Sequence, residues 1–468
     1  MAARSELLLA FYGDDFTGST DAMEALALSG LRTVLFLSPP TLDFLARQFP
    51  DLRCIGVAGT SRAMTPAEMD AQLQPVLREL WALGAPLTHY KVCSTFDSAP
   101  EVGSIGHVAD LVRANLVSGQ IISVLAGAPP LRRYTVFGNH FAAAGDEIFR
   151  LDRHPTMSRH PTTPMHEADL RVHLSHQTQA RIGLMSLPEL AGGEESVDMR
   201  HAQKLDTKPG LLLYDCADDE SLRTVGRLIW QQAQRAQHFA IGSSGVEYAL
   251  TAHWRAGSVI PQARAAFPRV SPVKQLLVVS GSASPMTASQ IQWASEHGFE
   301  CVRAPTEELC RPRTAESTAR SLFERALKSL AEGKSVVIYT AAGPDDPSIR
   351  TTRETVAAGS SNTAQVLGSA LGRIARDLLA RTGLRRVVVA GGDTSSYATQ
   401  ELGLYALEML AELTPGAPLC RGYSEDPKFD GMEIALKGGQ MGMADYFGMA
   451  RGAKADASAV VKVSVGRR

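Results

Sequence analysis

The sequence predicts an α/β protein made of two domains with largely parallel sheets. Short runs rich in Val, Ile and Leu alternate with amphipathic stretches along the chain, which is typical of parallel strands covered by helices on both faces. The chain has 468 residues, too many for one ordinary hydrophobic core. A stretch rich in Pro, Ala and Arg interrupts the alternation, and a new strand pattern begins after it.

The apolar runs have the length and composition of buried strands. Helical patterns such as TPAEMDAQLQPVLRELWALG and SLFERALKSLAEG separate many of them, as parallel pairing requires. We expect an N-terminal domain over 1–254, a linker over 255–273 and a C-terminal domain over 274–468. In chain order the strand candidates are ELLLAFY, RTVLFL, RCIGVAG, LTHYKVC, LLLYDC, HFAIGSS, KQLLVVSG, SVVIYTA and RRVVVAGG.

Residues 131–170 depart from the alternation and are rich in Pro and His. We interpret them as long loops inserted into the first domain. The histidines lack the i, i+4 spacing of a helical ligand pair, so we predict no metal site there and at most one or two substrate-lining residues. These histidines are His140, His154, His160 and His166.

Composition and charge exclude several classes of partner. The formal net charge of −2 argues against sequence-independent nucleic-acid binding, which needs a basic face. The six cysteines lack CxxC spacing, which indicates reduced thiols and no structural zinc site. The apolar run before Asp14 is too short for a signal peptide or a membrane span. We therefore expect a cytoplasmic protein without nucleic-acid or membrane partners; a homo-oligomer is compatible with the sequence, which does not fix the oligomeric state.

Two adjacent acids, Asp14 and Asp15, follow the first strand candidate. Ligands of open α/β sheets bind at the carboxyl ends of the strands, where loops and helix N-termini converge. A helix cap would explain one acidic side chain followed by Thr17 and Gly18. It does not explain a pair of acids with no Lys or Arg nearby in the sequence, so we favour a functional role for both.

A second polar cluster, Lys91, Ser94 and Thr95, follows the fourth strand candidate. One cation with several hydroxyl groups can hold a carboxylate or a phosphate. Arg62, after the third strand candidate, is a further possible anion ligand, although a single arginine is more often a solvated surface residue.

Three glycine-rich loops follow strand candidates in the second half of the chain. Such loops let a ligand approach the backbone, and N–H groups at a helix start favour phosphate. GxxxxGK[ST] is absent, which excludes a Walker-type loop, and the lack of GxGxxG after a strand weakens a dinucleotide interpretation. Each loop alone could be a turn, but together they favour a nucleotide site formed by Ser282, Gly391, Gly392, Asp393, Thr394, Ser395 and Gly439.

These motifs together resemble those of the four-carbon acid sugar kinase family over nearly the whole chain. The family's D-D-x-T-G-A/S-x-D is matched from Asp14, its K-x-x-S-T from Lys91, and its G-S-x-G from Gly242. SGSAS, GGDTS and LKGGQMG are similar to the three loops of its nucleotide domain. CSTFDS resembles the branch acting on 3-oxo acids such as 3-oxo-tetronate, whereas SAPEVGSIG and FGNHFAA look closer to a relative acting on the branched 3-oxo-isoapionate.

The resemblance implies an N-terminal domain for a sugar acid, a C-terminal domain for ATP and Mg²⁺, and a site in the cleft between them. The reaction would be ATP-dependent phosphorylation of the terminal C4 hydroxyl of 3-oxo-tetronate or 3-oxo-isoapionate. Asp15 would accept the hydroxyl proton and Asp14 would orient the substrate, with Asp393 a second candidate for the proton acceptor or metal contact. The expected ligands of the sugar acid are Arg62, Lys91, Ser94 and Thr95, and no protein-built metal cage is predicted.

Three alternatives remain at this stage. The enzyme could phosphorylate a simple aldonic acid such as threonate or erythronate. The chain could be a non-catalytic sugar-acid-binding protein, which would not bind ATP. A dehydrogenase would use the same α/β units but lacks the dinucleotide motif.

Overall fold

The structure is a computed structural model that describes residues 7–160, 162–357 and 363–452, except for the side chains of residues 357, 393 and 394. The chain forms two compact units, Met1–Ala266 and Phe267–Arg468. No helix or strand lies between Ala256 and Leu277. The domain boundaries predicted from the sequence stay predictions.

The first unit is built on a parallel sheet of eight strands, in the spatial order β2-β3-β1-β4-β11-β5-β10-β9. Its central strands are buried along their whole length, which explains their nearly continuous apolar sequences. In chain order these strands are β1 (Leu9–Gly13), β2 (Thr33–Phe36), β3 (Cys54–Ala58), β4 (Leu87–Lys91), β5 (Ile122–Leu125), β9 (Ile182–Met185), β10 (Leu211–Tyr214) and β11 (His238–Gly242).

The helices of the first unit connect these strands, and several begin at a side chain that caps the first turn. Such caps satisfy backbone N–H groups that have no partner within the helix. The capping residues are Asp15, Thr41, Thr65, Ser104, Asp169 and Asp218. The helices are α1 (Phe16–Leu28), α2 (Leu42–Gln48), α3 (Pro66–Glu68), α4 (Gln74–Ala82), α5 (Ile105–Asn115), α6 (Leu170–Ser175), α7 (Leu187–Leu190), α8 (Glu194–Asp206), α9 (Asp219–Arg235) and α10 (Gly245–Ala256).

The interpretation of residues 131–170 as long loops is wrong for its first half. An antiparallel sheet forms there from β6 (Arg133–Val136), β7 (Asn139–Ala144) and β8 (Glu147–Arg150). The turn between β6 and β7 consists of Phe137 and Gly138, both with positive φ (51° and 81°), as two-residue hairpin turns require. Phenylalanine is an unusual residue for that conformation, so the turn was not recognisable from the sequence.

A buried carboxylate fastens this hairpin to the main sheet. Asp215, directly after β10, accepts hydrogen bonds from the amides of Phe137 (2.6 Å), Gly138 (2.8 Å) and Leu187 (3.1 Å). Cys216 forms a two-way backbone pair with Thr135 of β6. The inserted sheet is therefore held at its turn by the Asp215 side chain and along its first strand by backbone bonds to Cys216.

The second unit has a mixed sheet in the order β13-β14-β12-β15-β18-β17-β16. The first five strands in this order are parallel, and β18, β17 and β16 pair in antiparallel fashion. Two α/β units with largely parallel sheets were predicted, and this prediction is confirmed. The strands are β12 (Leu277–Ser280), β13 (Phe299–Arg303), β14 (Ser335–Tyr339), β15 (Arg386–Ala390), β16 (Ala406–Thr414), β17 (Ala417–Tyr423) and β18 (Glu433–Lys437).

Apolar side chains from the strands and helices of the second unit form its core, including Val278, Val337, Val388, Ala435 and Phe447. Helix α11 begins at a serine cap, Ser284, followed by Pro285 at its first position. The helices are α11 (Pro285–Glu296), α12 (Thr306–Cys310), α13 (Ala315–Ala331), α14 (Pro347–Ala357), α15 (Thr363–Thr382), α16 (Asp393–Gln400) and α17 (Tyr446–Arg451). Across the described ranges of the chain, no helix is both long and apolar enough to cross a membrane.

Candidate active site

The predicted sugar-acid residues follow strands that end at the same edge of the first sheet. Gly13, the last residue of β1, pairs in register with Ala58 of β3 and Lys91 of β4, and Lys91 pairs with Gly242 of β11. The chain segments after these strands therefore emerge side by side. This is the edge where α/β sheets bind ligands.

Arg62 joins the two adjacent aspartates into one cluster. Its Nε and Nη2 donate to the two oxygens of Asp14 at 3.1 Å and 2.8 Å, and Nη2 also lies 2.9 Å from Oδ1 of Asp15. Asp14 and Asp15 are 2% and 3% exposed. A two-pronged arginine contact of this kind satisfies carboxylates that would be costly to bury alone. Arg62 is thus not the solvated surface residue that a lone arginine would usually be.

Asp15 also caps helix α1. Its Oδ1 accepts from the amide of Gly18 at 2.9 Å, and its Oδ2 accepts from the hydroxyl of Thr17 at 2.7 Å. The sequence offers helix capping and a functional role as alternatives for this acid. In the structure the Asp15 side chain both caps the helix and belongs to the acid cluster. Asp14 takes no part in the cap.

The two aspartates have opposite pKa shifts. Burial raises the pKa of Asp14, and the Arg62 guanidinium offsets this only in part. Burial also acts to raise the pKa of Asp15, but Arg62, Lys91 and the hydrogen bonds from Thr17 and Gly18 together hold it below its usual value. Asp15 is therefore a stable anion, whereas Asp14 is the more basic carboxylate of the pair.

Lys91 brings a second cation to the cluster. The residue is 3% exposed, and within the part of the chain that the structure describes its ammonium donates no hydrogen bond. A side-chain carbon added at Gly18 would lie 2.2 Å from Lys91 Nζ and 2.4 Å from Asp15 Oδ1. The glycine therefore leaves the room that the ammonium occupies beside Asp15. A largely buried ammonium whose hydrogen-bond donors are not used in the described structure is well suited to hold an anion.

Ser94 and Thr95 follow Lys91 in the loop after β4, and their polar atoms bond within this neighbourhood. The hydroxyl of Thr95 donates to Asp97 and lies 3.0 Å from Cys93 Sγ. The carbonyl of Ser94 accepts from His140 Nε2 at 2.8 Å. The loop lies next to the acid cluster in the chain, but among the described residues neither hydroxyl bonds to Asp14 or Asp15.

Phe96, in the middle of this loop, is buried and has a φ of 59°. A bulky residue in the left-handed region costs conformational energy, and such residues concentrate at functional sites. The conformation supports a functional role for the Lys91–Asp97 loop.

His140, on β7, connects the inserted hairpin to this loop. Burial lowers the pKa of His140 to about 4, so the ring is neutral near pH 7. Nε2 carries the proton and donates to the Ser94 carbonyl, and Nδ1 accepts from the hydroxyl of Thr135 at 3.0 Å. The other three histidines of the segment form no hydrogen bond to the loop among the described residues; His154 and His160 accept from backbone amides of their own turns.

Sequence reasoning missed a buried pair behind the cluster. Nδ1 of His89 lies 2.7 Å from Oε1 of Glu247, and its Nε2 lies 3.2 Å from the carbonyl of Gly242. Both side chains are fully buried. His89 precedes Lys91 by two positions on β4, so the two share one face of the sheet. The alternation along the strand was the available signal, but an isolated histidine in an apolar run gives no indication of its partner.

The predicted nucleotide loops also meet at one edge of their sheet. Ser280 of β12, Ala390 of β15 and Lys437 of β18 are aligned in register. A side-chain carbon at Gly439 would lie 3.0 Å from Ser282 Oγ, so the first and third loops touch. The amide of Gly391 donates to the Lys437 carbonyl at 2.8 Å, and this bond joins the second loop to the end of β18.

The second loop, Gly391 and Gly392, precedes helix α16 and is closed by hydrogen bonds from the first turn of that helix. Ser395 Oγ donates to the carbonyls of Gly391 (2.8 Å) and Gly392 (2.7 Å). The side chains of Asp393 and Thr394 lie outside the described part of the structure. The role of Asp393 as a second candidate for proton acceptance or metal contact therefore stays a prediction.

In the described ranges, no group of three or more His, Cys, Asp and Glu side chains could hold a metal ion. The predicted Mg²⁺ would be bound mainly by nucleotide phosphates and water, a mode that needs no such group. The acid cluster is therefore considered as a site for an organic anion, and the glycine-rich loops as a site for a polyphosphate.

Both units match known domain families. Residues 9–250 match the sugar-binding N-terminal domain, and residues 277–447 match the nucleotide-binding C-terminal domain. A 3-oxo-isoapionate kinase from Paraburkholderia graminis is 47% identical over 95% of this chain and 94% of its own length. A 3-oxo-tetronate kinase from Cupriavidus necator is 30% identical over 94% and 95% of the two chains, and one from Methylobacterium radiotolerans is 31% identical over 95% and 98%.

Two solved structures share the fold. One is described as a putative tRNA synthase from Salmonella typhimurium LT2, with a TM-score of 0.74, 24% identity and coverage of 94% and 98% of the two chains. The other is a Haemophilus influenzae protein of the DUF1537 family, with a TM-score of 0.68, 24% identity and coverage of 95% and 99%. At this level of identity the likeness shows the fold alone.

A sugar-binding domain followed by a nucleotide-binding domain defines a carbohydrate kinase. The chain belongs to the four-carbon acid sugar kinase family, of the type that includes the 3-oxo-isoapionate and 3-oxo-tetronate kinases. The resemblance read from the motifs is thereby confirmed.

Proposed function

We propose that this kinase uses ATP to phosphorylate the terminal C4 hydroxyl of a small 3-oxo sugar acid, and that 3-oxo-isoapionate is its preferred substrate. The observation that carries the proposal is the buried ammonium of Lys91 beside Asp15, which donates no hydrogen bond in the described structure and lies close to the Arg62 cluster. An ammonium with free donor capacity accounts for binding of an acid, and a neighbouring carboxylate accounts for removal of a hydroxyl proton. The greater identity to the 3-oxo-isoapionate kinase supports the branched substrate.

The proposed ligands of the substrate carboxylate and keto-hydroxy groups are Lys91 and Arg62, with the hydroxyls of Ser94 and Thr95. Lys91 would make the principal ionic contact, because its buried ammonium donates no hydrogen bond in the described structure. Arg62 already binds both aspartates, so it would contact the substrate from within that cluster. Removing bulk water from such contacts strengthens them.

Asp15 is proposed as the proton acceptor and Asp14 as its orienting partner through Arg62. The substrate oxygen forms a bond to the γ-phosphorus, the bond from that phosphorus to the ADP oxygen breaks, and the hydroxyl proton passes to the carboxylate. Asp15 is favoured because it lies beside the ammonium that would hold the substrate. Asp14 is the rival, since its raised pKa makes it the stronger base.

ATP is proposed to bind at the glycine-rich edge of the second unit. Backbone amides at Ser282, Gly392 and Gly439 would contact the phosphates, together with residues 393–395. The amide of Gly391 is bound to the Lys437 carbonyl, so this glycine would instead let the phosphates approach the backbone. When bound, Mg²⁺ neutralises phosphate charge during transfer, mostly through water and phosphate ligands. The protein contributes mainly positioning and charge, which is the general requirement of phosphoryl transfer.

The inserted hairpin supports the choice of substrate. The FGNHFAA stretch that differs from the 3-oxo-tetronate kinase pattern covers the turn and the start of β7. His140 within it bonds to the loop that carries Ser94 and Thr95. A change in this stretch would therefore alter the substrate loop without changing the acid cluster.

The test is an assay of ADP release by the full chain with ATP and Mg²⁺ and a panel of 3-oxo-isoapionate, 3-oxo-tetronate, threonate and erythronate. We expect the highest kcat/KM with 3-oxo-isoapionate and a product phosphorylated at the terminal position, identified by NMR. Preference for threonate or erythronate would support the aldonic acid alternative. Binding of a sugar acid without ADP release would support a binding protein and overturn the proposal. The cytoplasmic location and any homo-oligomer stay predictions.

A further inference from the structure

The segment after β18, residues 438–443 (the GGQMGM segment), directs its carbonyl groups towards buried donors. The Gly438 carbonyl accepts from Lys437 Nζ at 2.9 Å and from the Met441 amide at 3.2 Å. The Gly439 carbonyl accepts from Lys437 Nζ at 3.1 Å, from Thr287 Oγ1 at 3.0 Å and from Ser284 Oγ. Three donors thus converge on one carbonyl.

The later carbonyls of the segment are held by one amide side chain. Gln290 Nε2 donates to the carbonyls of Met441 at 3.0 Å and Met443 at 2.9 Å. Gln290 and Thr287 lie on the same helix, α11, and both are fully buried. Helix α11 and Lys437 together fix four peptide groups of the segment.

This arrangement determines where the amides point. In a trans peptide the N–H of the next residue points opposite to the carbonyl, and the described structure has no cis peptide bond. The amides of Gly439, Gln440 and Gly442 therefore point away from α11 and Lys437. Among the residues that the structure describes, none of these three amides donates a hydrogen bond. Successive amides facing the same way form a concave anion site.

We propose that the amides of Gly439, Gln440 and Gly442 bind the polyphosphate of the nucleotide, and that Lys437, Thr287 and Gln290 are positioning residues that hold these amides in place. The inference rests on the proposed use of ATP and deepens it. Beyond the proposed ATP site, the inference assigns a positioning role to three buried side chains that do not touch the ligand. It also assigns phosphate contacts to the amides of Gln440 and Gly442, in addition to that of Gly439.

The hydrogen bonds of Lys437 indicate that it positions the segment and does not bind the ligand directly. Its ammonium has three protons, and these are directed to Thr287 Oγ1, Gly438 O and Gly439 O. The side chain is fully buried, and every group it contacts is neutral. Its charge therefore has no anionic partner in these contacts, and a polyphosphate on the far side of the segment would supply one.

Two variants and a matched control test the positioning role. We expect Gln290→Met and Lys437→Met each to raise the KM for ATP about ten-fold or more. Gln290→Met leaves the Met441 carbonyl without its donor, and Lys437→Met removes one donor from each of the Gly438 and Gly439 carbonyls together with the charge behind them. The KM for the sugar acid should change by less than about two-fold, since the substitutions act on one site only. Thr306→Val is the control: it breaks a buried bond of the same unit, Thr306 Oγ1 to Thr352 Oγ1 at 2.6 Å, away from the segment. Equal KM values for ATP in all three variants would overturn the inference.

Hydrogen exchange of the unmodified chain provides a test that needs no variant. With saturating ATP, the amides of Gly439, Gln440 and Gly442 should exchange at least about ten-fold more slowly than without it. Unchanged exchange in an enzyme that releases ADP would overturn the inference and leave the proposed function standing. Slowed exchange in a protein that phosphorylates no sugar acid would support nucleotide binding by the three amides and refute the proposed kinase function.

Discussion

The candidate ligand sites at the edges of the two sheets are built from different kinds of groups. In the first unit, ionised side chains form the candidate site: Asp14, Asp15, Arg62 and Lys91 meet at the ends of adjacent strands. In the second unit, backbone amides face outward and the side chains behind them are largely neutral. The first edge should therefore respond strongly to the loss of a single charge. The second should respond mainly to changes in buried residues that orient the backbone.

The difference follows from what each ligand demands. A small acid offers one carboxylate and a few hydroxyls, so it must be selected by a few strong, directional contacts. A polyphosphate presents many oxygens to any concave row of amides, so glycine and a rigid support suffice. The two edges should consequently be separable by mutation, and the predictions below test whether they are.

The largest expected effect is the loss of turnover in Asp15→Asn. Asparagine is also a good helix cap, so the variant should keep α1 while losing the proton acceptor. We expect kcat to fall by about 10²–10⁴-fold, with the KM for ATP within about two-fold of the original. Steady-state kinetics with both substrates varied is the measurement.

Asp14→Asn is the matched comparison for this prediction. If Asp14 only orients its neighbour, its variant should lose less kcat than Asp15→Asn. The opposite order would assign the proton acceptor to Asp14, the carboxylate with the raised pKa. Unchanged turnover in Asp15→Asn would end the assignment of that residue.

A smaller effect is expected from Gly18→Ala. The new methyl group would lie 2.2 Å from Lys91 Nζ and 2.4 Å from Asp15 Oδ1, so the ammonium and the carboxylate must both shift. We expect the KM for the sugar acid to rise by about 10–100-fold, because a displaced charged hydrogen bond costs roughly 1.5–3 kcal/mol. The KM for ATP should not change.

Gly193→Ala is the control, since an added carbon there meets nothing within 4 Å. Thermal melting of both variants separates a binding defect from unfolding. A substrate KM in Gly18→Ala equal to that of the control would show that the position of Lys91 is not critical.

A further reduction is expected from His140→Ala, which removes the donor to the Ser94 carbonyl. Loss of this bond should raise the KM for the sugar acid about 5–30-fold and reduce the preference for 3-oxo-isoapionate over 3-oxo-tetronate. His166→Ala, an exposed histidine in the same segment, should leave both values unchanged. Loss of activity towards both acids in equal proportion would show that the hairpin does not discriminate between them.

The last expected effect is on stability and not on kinetics: Lys437 should make stability depend on pH. Burial lowers the pKa of Lys437 to about 7, whereas an unfolded lysine titrates near 10.4. Between these values the unfolded chain binds more protons, so this group makes the protein more stable as the pH rises from 7 towards 10. Its contribution is at most about 1.4 kcal/mol per pH unit.

Urea unfolding of the original chain and of Lys437→Met at pH 7 and pH 9 measures this contribution. The stability of the original chain relative to the variant should increase with pH. A constant difference would mean that Lys437 keeps an ordinary pKa in the folded protein, through an anionic neighbour or solvent.

The sequence predicted the parts of the site that are continuous in the chain. Asp14 with Asp15, and Lys91 with Ser94 and Thr95, follow apolar runs whose ends a parallel sheet must bring together. It could not predict that Arg62 joins both aspartates, because 48 residues separate Arg62 from Asp14 and only the register of β1 and β3 makes them neighbours.

Other features gave weaker signals in the sequence. The inserted sheet of β6, β7 and β8 was missed because Phe137, in the turn between β6 and β7, occupies a position where glycine or asparagine usually marks a turn. Thr287 and Gln290 were missed because polar residues in a helix are usually solvent-exposed, and only their burial against the GGQMGM segment distinguishes them. Strands β16 and β17 lack continuous apolar runs, since their burial alternates or is interrupted. The parallel strands β5, β9, β13 and β18 were also not among the strand candidates.

The bonds of Asp215 have a consequence for how substrate preference could change. In the described structure its carboxylate accepts from main-chain amides, those of Phe137 and Gly138 in the turn and that of Leu187, so it holds the hairpin whatever side chains the turn carries. The hairpin can thus be exchanged between relatives as a module, provided that Asp215 and the two-residue turn are kept. With the role proposed for the hairpin, we expect a graft of this module to change substrate preference while leaving the acid cluster in place.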